Sequence, residues 1–264
     1  GITSIGVDEI AWRTHHKYAT LVHQIDQGCV RLLWAGEHRT IKTLLRFFRF
    51  LGKERTAKLQ HICSDMWAAY LKVIKKKAPQ AIHILDRFHI VQKMNKAIDE
   101  VRADEHKQLI RDGYGPVLKK SRWCLLKRKA NLTDNQQAKL KDLLRYNLRS
   151  VRAYLLKEDF QGFWNYVYPS WAGKFLDQWC TRTMRSKIEP MKKIAKTLRK
   201  HKPLILNWFH AKKAFSSGIV EGLNNKVKVV TKKSYGFRTF ECLKIALYHE
   251  LGNLPDPPST HRFC

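Results

Sequence analysis

Three strand-like runs joined by short turns open the chain: SIGVDEIA (4–11), YATLVHQI (18–25) and CVRLLWA (29–35). The turn Asp26-Gln27-Gly28 between the second and third is a hairpin signal. Connections this short force antiparallel neighbours. The pattern then changes period. IKTLLRFFRFLG (41–52) has helical spacing and stops at a glycine, LQHICS (59–64) is a short apolar run, and MWAAYLKVIKKK (66–77) is an amphipathic helix halted before Pro79. AIHIL (81–85) is a second buried run, followed by a helix from about Ile90. Strands that follow helical crossovers run parallel to a neighbour. Few architectures accept three antiparallel strands followed by two parallel ones. The expectation is an α/β fold with a mixed five-stranded sheet and flanking helices.

Residues 101–210 carry no alternating pattern and read as an all-helical insertion. TDNQQAKLKDLLRYNLRSVRAYLL (133–156) opens with a Thr133/Gln136 capping box, and Leu140, Leu144, Leu148, Val151 and Leu155 predict one apolar stripe along it. IEPMKKIAKTLRK (188–200) reads as a basic helix. The insertion holds Trp123, Trp164, Trp171, Trp179 and Trp208, expected mostly in its core, with base stacking as the alternative. Residues 211–252 read as closing helices, and 253–264 as a proline-rich tail. The first piece of the α/β domain is therefore expected at 1–100. The chain starts almost directly in a strand-like run, which predicts further sequence upstream.

The net charge of +29, from 51 Lys and Arg against 22 Asp and Glu, is large for a compact domain and predicts a polyanionic partner, nucleic acid first. Hydrophobic residues make up 44%, enough for a core. The six cysteines are scattered without a Cys-x-x-Cys pair, which predicts reduced thiols in a cytoplasmic setting rather than a zinc ribbon or a disulfide framework. No apolar run approaches a membrane span. The phosphate-loop motif, the His-Glu-x-x-His motif and the Gly-x-Ser-x-Gly elbow are all absent.

Against this basic background a few carboxylates stand in unusual places. Asp8 lies among Ile5, Val7 and Ile10 in the first strand, where an unpaired charge is costly to bury; an edge strand would be the ordinary explanation. Asp65 and Asp86 each follow a short apolar run and precede a helix, so each also suits a helix N-cap. In GIVEGLNNKVKVVTKKSYGFR (218–238), Val220, Leu223, Val227 and Val230 form one helical stripe, and Glu221, Asn225, Lys228 and Lys232 form the opposite one. Gly222 sits inside that helix at a cost of roughly 1 kcal/mol relative to alanine. Strand-end aspartates on adjacent strands converge on one sheet edge, and hard carboxylate oxygens suit Mg²⁺ or Mn²⁺.

GVDEIA, SDMWAAY, LDRFHIVQKMN, SRWCLLKRKANLT, VEGLNNKVKVVTKKSYGFRTF and LPDPPSTHRFC, in that order, resemble the DDE transposases of bacterial insertion sequences, the ISL-three group in particular. The resemblance implies a ribonuclease H-like catalytic domain interrupted by the helical insertion. It implies that Asp8, Asp65 and Glu221 are the catalytic acids and hold two Mg²⁺ or Mn²⁺ ions, with Asp86 and His89 as accessory residues. It implies hydrolysis of a phosphodiester at a transposon end, then attack of the released 3′-hydroxyl on target DNA. Asn224, Asn225, Lys226, Lys228, Lys232, Lys233 and Arg238 are the expected phosphate contacts near the site, and Lys119, Lys120 and Arg122 a second DNA-binding cluster. The partners expected are double-stranded DNA and a second copy of the chain in a homodimer or higher oligomer, without a membrane, in a nucleoid-associated cytoplasmic protein. The family usually carries a zinc-binding region and a helix-turn-helix ahead of this domain. Two other functions fit the same residues: a ribonuclease H-like nuclease or junction resolvase that cuts without joining, and a catalytically inactive DNA-binding relative.

Overall fold

The computed structural model describes residues 1–13, 17–213 and 217–253, with the side chains of 217–221 and of Asn224 outside the description. By contacts the chain divides into two compact units, one formed by Gly1–Asp86 together with the chain from Ala211 onward and the other by Arg87–His210.

The first unit is built on five strands: β1 (Ser4–Arg13), β2 (Lys17–Asp26), β3 (Cys29–Glu37), β4 (His61–Ser64) and β5 (Ile82–Leu85), in the spatial order β3-β2-β1-β4-β5. β1 pairs antiparallel with β2 and β2 with β3, while β1–β4 and β4–β5 are parallel. This is the mixed sheet of a ribonuclease H-like fold. Between β3 and β5 lie α1 (Ile41–Leu51), α2 (Lys53–Ala57) and α3 (Ala68–Lys77). α1 starts where the Thr40 hydroxyl accepts the Thr43 N–H and stops at Gly52, whose φ of 82° only glycine adopts cheaply.

Alternation along β1 and β2 decides what covers each face. Ile5, Val7 and Val22 pack with Leu44, Phe47, Phe48 and Leu51 of α1 and with Tyr70, Val73 and Ile74 of α3. Ile10, Trp12, Ala19 and Leu21 point the other way. They pack with Leu223, Val227 and Val230 of a helix at Ser217–Lys233 and with Leu243, Leu247 and Leu251 of a helix at Phe240–Leu251. The closing segment of the chain thus covers a sheet built by its opening segment.

The second unit is all helical: α4 (Arg87–Arg111), α5 (Arg122–Leu126), α6 (Asp134–Leu143), α7 (Arg149–Gln161), α8 (Pro169–Arg185), α9 (Glu189–Lys200) and α10 (Lys202–His210). The two helices on the sheet are then α11 (Ser217–Lys233) and α12 (Phe240–Leu251). α4 runs unbroken through residue 100. The Thr133/Gln136 capping box forms, with the Thr133 N–H donating to Gln136 Oε1 at 3.2 Å. The single helix expected over 133–156 does not form; the chain turns between α6 and α7, leaving Leu144 and Leu155 exposed. The cause is a distant carboxylate. Glu105 of α4 is buried and accepts the N–H groups of Arg149 (2.6 Å) and Ser150 (2.8 Å) and the Ser150 hydroxyl (2.6 Å). A carboxylate at that spot satisfies orphan N–H groups and the positive end of the helix dipole, so a new helix begins there.

Trp164, Trp179 and Trp208 are buried with Phe160, Phe163 and Phe209 in an aromatic cluster, as expected of core tryptophans, whereas Trp123 and Trp171 are exposed. Lys157 is buried and donates to the Leu125 and Leu126 carbonyls at 2.8 and 3.4 Å, capping the end of α5. No helix among the described residues is long and apolar enough to cross a membrane. The tail from residue 254 lies outside the described residues.

Candidate nucleic-acid-processing site

Asp8 sits on the central strand and is only 3% exposed, so the edge-strand explanation does not apply. Its Oδ1 accepts the Glu9 N–H at 2.7 Å. Asp65 and Asp86 reach the same level through the parallel register. The last β1–β4 pair is Val7 with Ser64, and the last β4–β5 pair is Ser64 with Leu85. One residue further on, Asp65 follows beside Asp8 and Asp86 beside Asp65, with the Asp86 N–H donating to the Ser64 carbonyl at 2.8 Å. Neighbouring strands lie about 4.8 Å apart. Three aspartates therefore line one edge of the sheet at the carboxyl ends of β4 and β5, where open α/β sheets bind their ligands.

Asp65 is not the N-cap of α3. That position is taken by Trp67, without a side-chain cap, and Asp65 Oδ1 instead accepts the Trp67 N–H at 2.7 Å. This turn delays the helix, expected from residue 66, until Ala68.

Burial dominates the electrostatics around these carboxylates, and their charges act in second place. Burial raises the carboxyl pKa of Glu9; Asp65 and then Asp8 push it the same way, against the Arg39 guanidinium at 2.6 Å. Burial also raises the Cys63 thiol, and Asp86 adds to it. His23 is fully buried on the Asp8 face, since its register partner Gly6 shares that face. Burial pushes its pKa down to about 4, while the Asp8 charge pulls upward.

Glu221 lies on α11, which packs through Leu223, Val227 and Val230 against the same face of β1 that bears Asp8. The side chains of Glu221, Val220 and Asn224 lie outside the described residues. Asn225, Lys226, Lys228, Lys232, Lys233 and Arg238 are exposed on α11 and the segment after it. A Cβ added at Gly222 would meet nothing within 4 Å, so packing does not demand the glycine.

His89 lies in the first turn of α4 and belongs to the helical unit. Lys119 and Lys120 are exposed in that unit. Arg122 is exposed but engaged: its Nε meets Asp99 Oδ2 at 3.0 Å, and its guanidinium lies 5.1 Å from the Trp123 ring centre. Among the described residues no three His, Cys, Asp or Glu side chains form a metal-holding group, a set that leaves out Glu221.

Sequence reasoning passed over Glu9, Arg39, Trp67 and His23. Glu9 and His23 did carry a signal, each being a polar group inside an apolar strand run; Arg39 and Trp67 carried none.

A family model described as a transposase matches residues 5–247. The chain is similar to the transposase for insertion sequence element IS1001 of Bordetella parapertussis, with 32% identity over 242 residues that cover 91% of this chain and 59% of that protein. It is also similar to the transposase for insertion sequence element IS1557 of Mycobacterium tuberculosis, with 30% identity over 280 residues covering 97% of this chain and 62% of that protein. The chain thus spans about three fifths of the length of these curated relatives. With the match running from β1 into α12, across the sheet, the helical unit and the returning helices, the chain belongs to the ISL-three group of DDE transposases.

Proposed function

We propose that this chain carries the catalytic site of a transposase that cleaves DNA at transposon ends and transfers the resulting 3′-hydroxyl to target DNA. The observation that carries this reading is the register of β1, β4 and β5, which lines up Asp8, Asp65 and Asp86, together with the packing of the Glu221 helix on the Asp8 face. A strongly basic chain that nevertheless gathers carboxylates at one sheet edge has a use for them.

The donor chemistry fits a hard divalent cation, because every candidate ligand is a carboxylate. Asp8, Asp65 and Glu221 would hold two Mg²⁺ ions, with Mn²⁺ as a substitute, and Asp86 would assist. The chemistry supplied there would be polarisation of the scissile phosphodiester and of the attacking hydroxyl or water. The sheet orients the two aspartates, and the Leu223, Val227 and Val230 stripe holds α11 against the Asp8 face. Lys226, Lys228, Lys232, Lys233 and Arg238 hold the DNA backbone beside the site, joined by Asn224 and Asn225. Lys119 and Lys120 hold it at a second place, with Arg122 contributing less because Asp99 already engages it. Transposition joins two DNA ends, so the working form is a dimer or larger.

Asp8→Asn tests the reading. Metal-dependent cleavage of end-containing DNA is expected to vanish while DNA affinity, measured by fluorescence anisotropy, is retained with a steep salt dependence. Surviving cleavage would remove Asp8 from the site. Joining of pre-cut ends by the parent protein separates a transposase from a nuclease that only cuts.

A further inference from the structure

A chain of contacts leads from a surface arginine to the Asp65 carboxylate. After β3, His38 takes a left-handed backbone conformation (φ 70°), unusual for a residue with a side chain, and is pinned there: its N–H donates to the Tyr18 carbonyl at 2.7 Å and its carbonyl accepts the Thr20 hydroxyl at 2.7 Å. Arg39 follows directly. Its guanidinium lies 3.7 Å from the Tyr18 ring centre and 4.6 Å from that of Trp67, and its Nη1 donates to Glu9 Oε1 at 2.6 Å. Its backbone carbonyl accepts the Trp67 indole N–H at 3.1 Å. The indole is therefore held twice by one residue. The Trp67 backbone N–H in turn donates to Asp65 Oδ1 at 2.7 Å.

A surface ion pair alone would merit little attention. This one is different because three groups from separate elements, Glu9 of β1, Tyr18 of β2 and Trp67 ahead of α3, immobilise one guanidinium. Thr40, not Arg39, caps α1. Lysine could keep the charge pair with Glu9 but not the planar stacking.

We infer that Arg39 is a positioning residue for the candidate site: anchored by Glu9 and Tyr18, it fixes Trp67, whose backbone N–H sets the direction of the Asp65 carboxylate. This rests on the reading of Asp65 as a metal ligand. Outer partners that orient a ligand typically matter 10–100-fold in metal affinity.

The test titrates Mn²⁺ into the purified protein, following free Mn²⁺ by electron paramagnetic resonance, alongside thermal unfolding and DNA cleavage. Arg39→Lys is expected to weaken Mn²⁺ binding about tenfold. It should raise the Mn²⁺ needed for half-maximal cleavage by the same factor and leave KM for DNA unchanged. Trp67→Phe, which keeps an aromatic ring at the position but loses the indole N–H together with the five-membered ring that bears it, should shift both in the same direction, and it carries the test should Arg39→Lys not fold. Rescue of neither variant by excess Mn²⁺, or a loss of thermal stability with unchanged Mn²⁺ binding, overturns the positioning role. Asp65→Asn keeps the two readings apart. If it loses Mn²⁺ while Arg39→Lys and Trp67→Phe bind like the parent, the relay is wrong and the ligand assignment stands. If Asp65→Asn binds Mn²⁺ and cleaves like the parent, the ligand assignment itself is wrong.

Discussion

Lowering the pH from 7 to 5 should cost this fold about 2 kcal/mol through one imidazole, that of His23. His23 is fully buried on β2, and neither ring nitrogen has a hydrogen-bond partner among the described residues. Burial holds its pKa at about 4, against 6.5 for an ordinary histidine. Above pH 6.5 the ring is neutral in both folded and unfolded chains, and the group contributes no pH dependence. Between 6.5 and 4 the unfolded chain takes up a proton that the folded one refuses, so stability falls with pH; below 4 the loss levels off. The full difference is about 3.4 kcal/mol, of which about 2 is lost by pH 5. The assay is urea unfolding at a series of pH values, comparing the parent with His23→Leu. His83, also pushed down to about 4 by burial, is present in both proteins and cancels in the comparison. At pH 7 the variant should be more stable by roughly 1–3 kcal/mol, because leucine leaves no buried nitrogen unpaired. Its stability should then fall less on acidification. Equal pH slopes in the two proteins, or a His23 ring resonance titrating near 6.5, would refute the reasoning.

Two further perturbations probe the helices. Glu105→Ala removes a carboxylate that accepts two N–H groups and a hydroxyl at the start of α7, and should destabilise the protein by about 3 kcal/mol in urea unfolding; Glu105→Gln should cost less, and an unchanged midpoint for the alanine variant would sink the distant-cap explanation of the α6–α7 break. Gly222→Ala should raise stability by roughly 1 kcal/mol, since helix propensity favours alanine and the added carbon meets nothing. If the glycine leaves room for a DNA backbone, the same variant should cleave more slowly despite its greater stability; undiminished cleavage would count against that role.

What could be read from the sequence was mostly local. β1, β2 and β3 announced themselves by alternation and short turns, and β4 and β5 by brief apolar runs between helical patterns. Their boundaries moved by only a few residues, as with His61–Ser64 against the expected 59–64. Asp8 stood out because a charge inside an apolar strand is rare. The failures were tertiary. The break between α6 and α7 depends on Glu105, 45 residues before Ser150 in the chain, and no pattern within 133–156 encodes it. The link between Arg39 and Trp67 spans 28 residues and rests on stacking and a backbone carbonyl, neither of which leaves a periodic trace. For Asp65 the N-cap reading was locally sensible, and only the turn to Trp67 showed the carboxylate fixed by other means.

The cover over the Asp8 face has a consequence for synthesis. Ile10, Trp12, Leu21 and Leu32 are made early, yet the residues that bury them, Leu223, Val227, Val230, Leu243, Leu247 and Leu251, come only after the whole helical unit. At ordinary ribosomal speeds that interval lasts on the order of ten seconds or more. Throughout it the nascent sheet presents a bare apolar face to the cell, while the helical unit can fold from its own contacts. Chaperone demand should therefore peak before α11 leaves the exit tunnel. A message cut short within the helical unit would yield a product that is sticky on one side of its sheet, however well its helices had folded.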